Sequence, residues 1–600
     1  MKNFLKYVLA TIVGIMIVNF MAFFFLLAFV GIVTALSEKT VNVQDNSVLT
    51  ITLSSPLSDR TSANPLDNFD FLSLNPQERL GLNQILESIE YAAYDPKIRG
   101  IYLNLTDIQG NFGGLASTEE LRQALLQFKE SGKFIYSYSN LGYSQKAYYL
   151  ATVADSIFVN PETPLLLTGM SSNVTFYKEA LDKLGIRPEI VKVGKFKSAV
   201  EPFIATEMSD ANREQVQKYL GTSWNHVVQG IAESRDIPAD SIQSLTDRFD
   251  FYTTEQLRAW GYFDGVCYED EMLAFLKAEC GIPAHKGLRQ VALSDYRYIP
   301  ATARAEARQT QDKIAIIYAQ GEIGLEQNTR SIGPDLVKSI RKAREDQQVK
   351  AIVLRVNSPG GSALTSDLIW REVKLAKAAK PVVVSMGDVA ASGGYYISCA
   401  ADVIVAEPTT LTGSIGIFGM FFSGDKLIRE KLGIHTETVR TNAHSDFGGS
   451  YPLPLPVSSR PLSGYEKRVL QNYVNQGYET FLSRVMEGRS MERNELDAIA
   501  QGRVWTGKDA QAIGLVDMLG GLNHAIGIAA GRAGIDSYDI VEYPTLKNPL
   551  EELLSQLSGT IRIRILQDEL GEGYATWQEV KAITRQQGIL ARMPFHITDN

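Results

Sequence analysis

Ser392 stands in Ala390-Ala391-Ser392-Gly393-Gly394-Tyr395-Tyr396, downstream of the β-branched run Pro381-Val382-Val383-Val384. The run reads as a buried strand and the small-residue segment Ile397 to Ala401 as the beginning of a helix, which puts the serine at a strand-to-helix turn. Two glycines directly after it let the backbone approach a ligand and leave amide hydrogens free where negative charge develops. A nucleophilic serine needs these features, although close packing of a strand on a helix would use the same small residues.

The chain repeats itself, and the repeat supplies a partner for the serine. Ala147-Tyr148-Tyr149-Leu150-Ala151-Thr152-Val153-Ala154-Asp155 aligns with Gly394-Tyr395-Tyr396-Ile397-Ser398-Cys399-Ala400-Ala401-Asp402 at an offset of 247 positions. The same offset sets Gly113-Gly114 against Gly360-Gly361 and Gly169 against Gly416. Within this alignment Gln145 falls opposite Ser392, Lys146 opposite Gly393 and Leu167 opposite Ser414, so the first half lacks the serine. It carries instead Val193-Gly194-Lys195-Phe196-Lys197-Ser198-Ala199-Val200-Glu201-Pro202-Phe203, whereas the matching segment near Arg440 to Asp446 has no lysine. Complementary halves would draw the base from the first and the nucleophile from the second. A lysine activates serine only as the neutral amine, which requires burial; Phe196, Ala199, Val200 and Phe203 give Lys197 the better setting, with Lys195 its competitor.

Backbone amides would serve a tetrahedral oxyanion. Asn357-Ser358-Pro359-Gly360-Gly361-Ser362 follows the strand Ile352 to Val356 and precedes a helix, so Gly361 can aim an amide toward Ser392, paired with that of Gly393; a turn after proline would look the same. Thr412-Gly413-Ser414-Ile415-Gly416 adds a second hydroxyl, able to orient the lysine amine or to cap a helix.

Short apolar strands alternate with helical stretches such as Thr118 to Ser131 and Thr365 to Ala379, the pattern of an α/β fold with parallel strands. In the second stretch Leu364, Leu368, Ile369 and Leu375 recur near helical spacing, with Arg371, Lys374 and Lys377 directed elsewhere. A polar segment, Ala301 to Asp312, joins the halves, and Leu550 to Asn600 carries mixed charge without a usable motif.

Six hundred residues, 45% hydrophobic and 21% charged, exceed one core and suit two or more globular domains. A net charge of −9 argues against a nucleic-acid binder, which needs a basic face. Cys267, Cys280 and Cys399 have no metal-ligand spacing, and the six histidines form no HExxH pattern, so neither a metal nor another cofactor is expected. Tyr7 to Ser37 holds no charged residue, longer than the ~20 apolar residues of a spanning helix, and Lys2 and Lys6 precede it. A retained anchor is expected, with its N-terminus in the cytoplasm and the bulk of the chain across the membrane.

Together the serine, lysine, Ser414 and glycine motifs resemble the signal peptide peptidase A (protease IV) family of serine peptidases, in its long bacterial type with tandem halves. The resemblance runs from the N-terminal anchor through the Gly520 region, and the segment Ala443-His444-Ser445-Asp446 through Pro456 departs from it. It implies two tandem ClpP/crotonase-like α/β domains after a transmembrane helix: 1–38 anchor, 39–310 first half with the base, 311–545 second half with the nucleophile, and 546–600 extension. It further implies Ser392 as nucleophile, Lys197 as general base, Ser414 in support and Gly361 and Gly393 as oxyanion donors. The expected setting is a homotetramer in the inner membrane, with a periplasmic catalytic region acting on signal-peptide remnants and hydrophobic peptides. Three alternatives stay open: a Ser–His–Asp hydrolase using His444 and Asp446, a crotonase-type acyl-CoA enzyme, and a non-catalytic membrane scaffold.

Overall fold

A computed structural model describes parts of 6–24, residues 41–545 apart from 54–56, 62–68, 71–74, 77–79, 107–111, 164, 300–309, 326–330 and 450–456, and residues 588–593. The expected anchor falls mostly outside the described residues, as does most of the segment 546–600. The parts of 6–24 that are described are helical and expose Val13, Ile15, Met16, Ile17, Val18, Phe20 and Met21. Among the described residues no helix is long and apolar enough to cross a membrane.

In the first half six parallel strands run in the order Gly265–Val266, Ser156–Val159, Phe134–Ser139, Ile98–Asn104, Ser47–Ile51 and Gln290–Ala292. The second half repeats this architecture. Its sheet runs Val504–Thr506, Leu411–Gly413, Val382–Ala391, Val349–Ser358, Lys313–Gln320, Asp539–Tyr543, with Val403–Ala406 branching from Val382–Ala391 to Met518–Leu519. Such strands are buried on both faces, so they read as continuous apolar runs such as Val382-Val383-Val384 rather than as alternating ones. The strand expected near Pro381–Val384 extends to Ala391, because Val389, Ala390 and Ala391 pair with Leu411, Thr412 and Gly413. The helix expected from Ile397 begins at Gly393 and ends at Ser398.

The helix Ala363–Ala379 matches its expected span, but its inner face differs from expectation. Ser366, Ile369, Trp370, Val373 and Ala376 are buried at helical spacing, while Leu364 and Leu368 are exposed. Trp370 supplies the large apolar side chain that fixes which stripe turns inward.

A third, mixed sheet joins the halves in the order Ser331–Ile332, Glu322–Ile323, Gly360–Ser362, Gly588–Arg592, Phe418–Ser423, Arg187–Lys192. Its last pair is antiparallel, Phe418 opposite Lys192 through Ser423 opposite Arg187, and sets a first-half strand against a second-half strand. Buried polar groups reinforce the junction. Arg355 of the second half bonds Asp59 at 2.7 Å and Glu120 at 2.6 Å, both from the first half. Asp388 accepts from the Gly114 and Ser117 amides at the start of the helix Leu115–Lys129, capping it from the other half. Glu120 in turn accepts from the Leu522 amide at the start of the helix Leu522–Ala533.

Candidate active site

Ser392 ends the strand Val382–Ala391 with a positive φ, φ 55° and ψ −112°, a backbone conformation rarely held by a non-glycine residue. The surroundings hold it there: its amide donates to Gly413 O at 2.8 Å, and its carbonyl accepts from the Tyr396 amide at 2.8 Å. Although it occupies the N-cap position, its side chain does not cap the helix, so Oγ stays available. Gly394 is required by close approach, since a Cβ there would lie 2.6 Å from Ser358 O.

The bridging sheet determines what meets that hydroxyl. Five residues beyond the strand Arg187–Lys192, Lys197 enters the second half and is buried, with Nζ 2.8 Å from Ser392 Oγ. The same nitrogen lies 3.0 Å from Ser414 O and 3.0 Å from Ser414 Oγ. A neutral amine has two N–H groups and one lone pair, which these three partners satisfy when it donates twice to Ser414 and accepts from Ser392. Burial pushes the lysine pKa well below its ordinary 10.5. Ser414 is itself left-handed, φ 50°, with its amide donating to Arg503 O at 2.7 Å.

The lysine is seated by residues that the sequence did not single out. Gly502, φ 80°, lets its backbone abut Lys197, where an added Cβ would stand 2.7 Å from the lysine Cβ. Gln215, buried on the helix Asp210–Arg235, donates to Phe196 O at 3.1 Å and Ser198 Oγ at 3.0 Å and accepts from the Val504 amide at 3.2 Å. One side chain thus ties the lysine loop to the second half. Neither residue belongs to a motif, and no spacing pattern in the sequence marks them. Val200 and Phe203 pack with Phe418, Met420 and Phe422 beneath the bridging sheet, so part of the expected apolar surround supports the loop rather than lining the amine. Lys195 is exposed, its ammonium over the Phe196 ring.

Gly361, φ 151°, has no room for a side chain, because a Cβ would lie 2.0 Å from Ile323 O. Gly393 opens the helix after Ser392. His444 is engaged elsewhere: Nδ1 lies 2.8 Å from Glu466 Oε1, and its ring stacks on Tyr465. Asp446 is held by Arg460 at 2.8 Å through both carboxylate oxygens, which lowers its pKa to about 2. The arrangement expected of a histidine-based triad is therefore not assembled. Among the described residues no cluster of histidine, cysteine, aspartate or glutamate could hold a metal.

Residues 127–282 and 374–536 match Peptidase family S49, one segment in each half. A chloroplastic serine protease SPPA of Arabidopsis thaliana is 34% identical over 92% of this chain and 78% of its own length. Protease 4 of Haemophilus influenzae is 33% identical, covering 85% of this chain and 83% of its own. The chain belongs to peptidase family S49. It is a serine-type peptidase with two tandem S49 halves in an α/β fold. Protease 4 of Salmonella typhi, 35% identical over 80% of this chain and 76% of its own, extends the relationship. Among solved structures, ClpP1 of Listeria monocytogenes aligns with 35% of this S49 chain and 94% of its own, at 13% identity and a TM-score of 0.23.

Proposed function

We propose that this S49 peptidase is a membrane-anchored serine endopeptidase with a Ser392–Lys197 dyad that degrades cleaved signal peptides and other hydrophobic peptides. The observation that carries this reading is the 2.8 Å approach of a fully buried lysine amine to Ser392 Oγ. Lys197 Nζ takes the proton of Ser392 Oγ as the oxygen attacks the scissile carbonyl carbon. Amides of Gly393 and Gly361 receive the oxyanion. The C–N bond then breaks, Lys197 returns the proton to the leaving amine, and water activated by the neutral lysine hydrolyses the seryl ester. Ser414 fixes the direction of the lysine lone pair by accepting both N–H groups.

Each half takes a ClpP/crotonase-like form in this reading, the catalytic region is periplasmic, and four copies assemble. The anchor draws its support from the uncharged segment Tyr7 to Ser37. The test combines Ser392→Ala and Lys197→Ala with a fluorophosphonate probe and an apolar peptide substrate. Cleavage and labelling are lost in both variants if the dyad operates. Full cleavage by Lys197→Ala beside loss in His444→Ala would replace the lysine with the histidine.

A further inference from the structure

The helix Asp210–Arg235 starts beside the lysine loop, which its Gln215 holds, and ends at Asp236. Asp236 is left-handed, φ 52°, and stands where the last carbonyls of the helix leave a partial negative charge. The last-turn cation is committed elsewhere: Arg235 donates to Gly261 O at 2.7 and 3.0 Å and is neutralised by Asp264 at 2.9 Å. Beyond this helix end lies an open cavity of about 510 Å³, lined by Asp236, Asp240, Arg248, Tyr252, Trp260 and Tyr262 among others. Tyr252 and Trp260 form an aromatic corner, their rings 4.9 Å apart at 72°, and Trp260 keeps 48% of its surface exposed. Asp236, Asp240 and Arg248 are exposed and make no ion pair with a described residue. Two carboxylates against one guanidinium, beside aromatic faces and a helix C-terminus, favour a cation carried on an apolar stem.

The sister half supplies an internal control. There the helix Gly464–Arg489 ends in the same way, with Ser490 left-handed at φ 53° and Arg489 bonded to Asp517 at 2.8 Å, the counterparts of Asp236, Arg235 and Asp264. The lining nevertheless differs: Asp236 and Asp240 are matched by Ser490 and Asn494, and Trp260 and Tyr262 by Ile513 and Leu515. Met491 also closes on Gly514, its Cε 2.8 Å from where a Cβ would stand, whereas Ile237 stays 3.8 Å from the equivalent point at Gly261. The fold is thus built without the carboxylates and the aromatic rings, and their presence in one half alone calls for a ligand.

We infer that this cavity receives a lysine or arginine side chain of a peptide substrate, remote from the bond that is cleaved. The inference deepens the proposed peptidase reading and rests on it for the identity of the ligand. From Gln215 to Asp236 the helix advances about 32 Å. A peptide held at both places must therefore carry its cation roughly ten or more extended residues from the scissile bond. A signal peptide has that form, with a basic end ahead of an apolar run of about 7–15 residues.

The test compares, on the full chain, two apolar peptides of about 16 residues, one with lysines at its amino end and one with glutamines there. The lysine peptide should show a KM about tenfold lower with kcat alike. Asp236→Asn with Asp240→Asn should erase that preference, Trp260→Ala should reduce it, and Arg248→Glu should enlarge it about threefold. Equal KM for the two peptides, or a preference that survives the aspartate variants, overturns the inference. Fluorescence anisotropy with Ser392→Ala separates this site from the nucleophile: a lysine preference in binding, without cleavage by the unaltered chain, upholds the cation site and overturns the proposed dyad instead. If the aspartate variants lose binding to phosphatidylethanolamine vesicles but keep the lysine preference, the cavity serves a lipid headgroup and the peptide assignment falls.

Discussion

The turn after Phe134–Ser139 and the turn after Val382–Ala391 are related by sequence and hold opposite contents. In the first half Gln145 is satisfied by its own neighbourhood: its carbonyl oxygen accepts from the amides of Thr168 and Gly169 at 3.1 and 3.0 Å, and its nitrogen donates to Gly169 O at 3.2 Å. The adjoining Lys146 donates to Gly113 O over the ring of Phe112. In the second half the same turn leaves Ser392 Oγ free of local partners, and its contact arrives from the other half as Lys197. Exchange works in one direction only, since in the second-half segment matching the lysine loop residues 440–445 lie exposed on the surface and Asp446 is held by Arg460. A duplicated scaffold can therefore hold one composite site, with each half contributing a different group.

The widest separation between the halves is expected in the chemistry. Ser392→Ala and Lys197→Ala should each reduce kcat/KM by on the order of 10⁴-fold or more, measured with an apolar peptide. Adding Gln145→Ser and Leu167→Ser to Ser392→Ala should restore nothing, because among the described residues no buried lysine reaches the first-half turn; recovered cleavage would break the contrast. Next in size is the junction. Arg355→Ala leaves Asp59 and Glu120 buried without their cation and should cost about 3–5 kcal/mol in denaturant unfolding.

Smaller effects sharpen the same contrast. Ser414→Ala removes one acceptor of the Lys197 amine and should lower kcat about tenfold, near 1.4 kcal/mol, with KM little changed. Lys197→Met should raise the melting temperature at neutral pH. The folded-state pKa is lowered, so the unfolded chain binds a proton that the folded chain does not, and the lysine destabilises the fold until the pH passes 10.5. The gain should accordingly shrink as pH rises toward that value. Gln145→Ala should leave kcat/KM within about twofold while costing about 1–2 kcal/mol for the two stranded amides.

Much of this contrast was legible in the sequence because the repeat acts as an internal control. Ser392 against Gln145, and a lysine loop present in one half alone, require no coordinates to notice. The bridging sheet was not legible: Gly360–Ser362 has only three residues, and the pairing of Arg187–Lys192 with Phe418–Ser423 joins segments far apart in the chain. Short strands carry too few side chains for periodicity to declare them. Gly502 and Gln215 were hidden for a different reason, since a glycine that admits a neighbouring backbone and a glutamine that ties two loops look ordinary until the neighbour is known. Leu364 and Leu368 misled because helical spacing identifies a stripe without saying which stripe faces the sheet. The strand at 588–592 had no signal in a mixed-charge segment, although it pairs with Gly360–Ser362 on one side and with Phe418, Gly419 and Met420 on the other.

The central claim is that a neutral Lys197 is the base for Ser392, and the pH dependence of Ser392 acylation, measured by single-turnover labelling so that chemistry is observed, tests it most directly. Acylation should rise with pH along a limb whose midpoint lies well below 10.5, persist in His444→Ala and vanish in Lys197→Ala. A flat profile from neutral to alkaline pH, or an unchanged limb in Lys197→Ala, would contradict it.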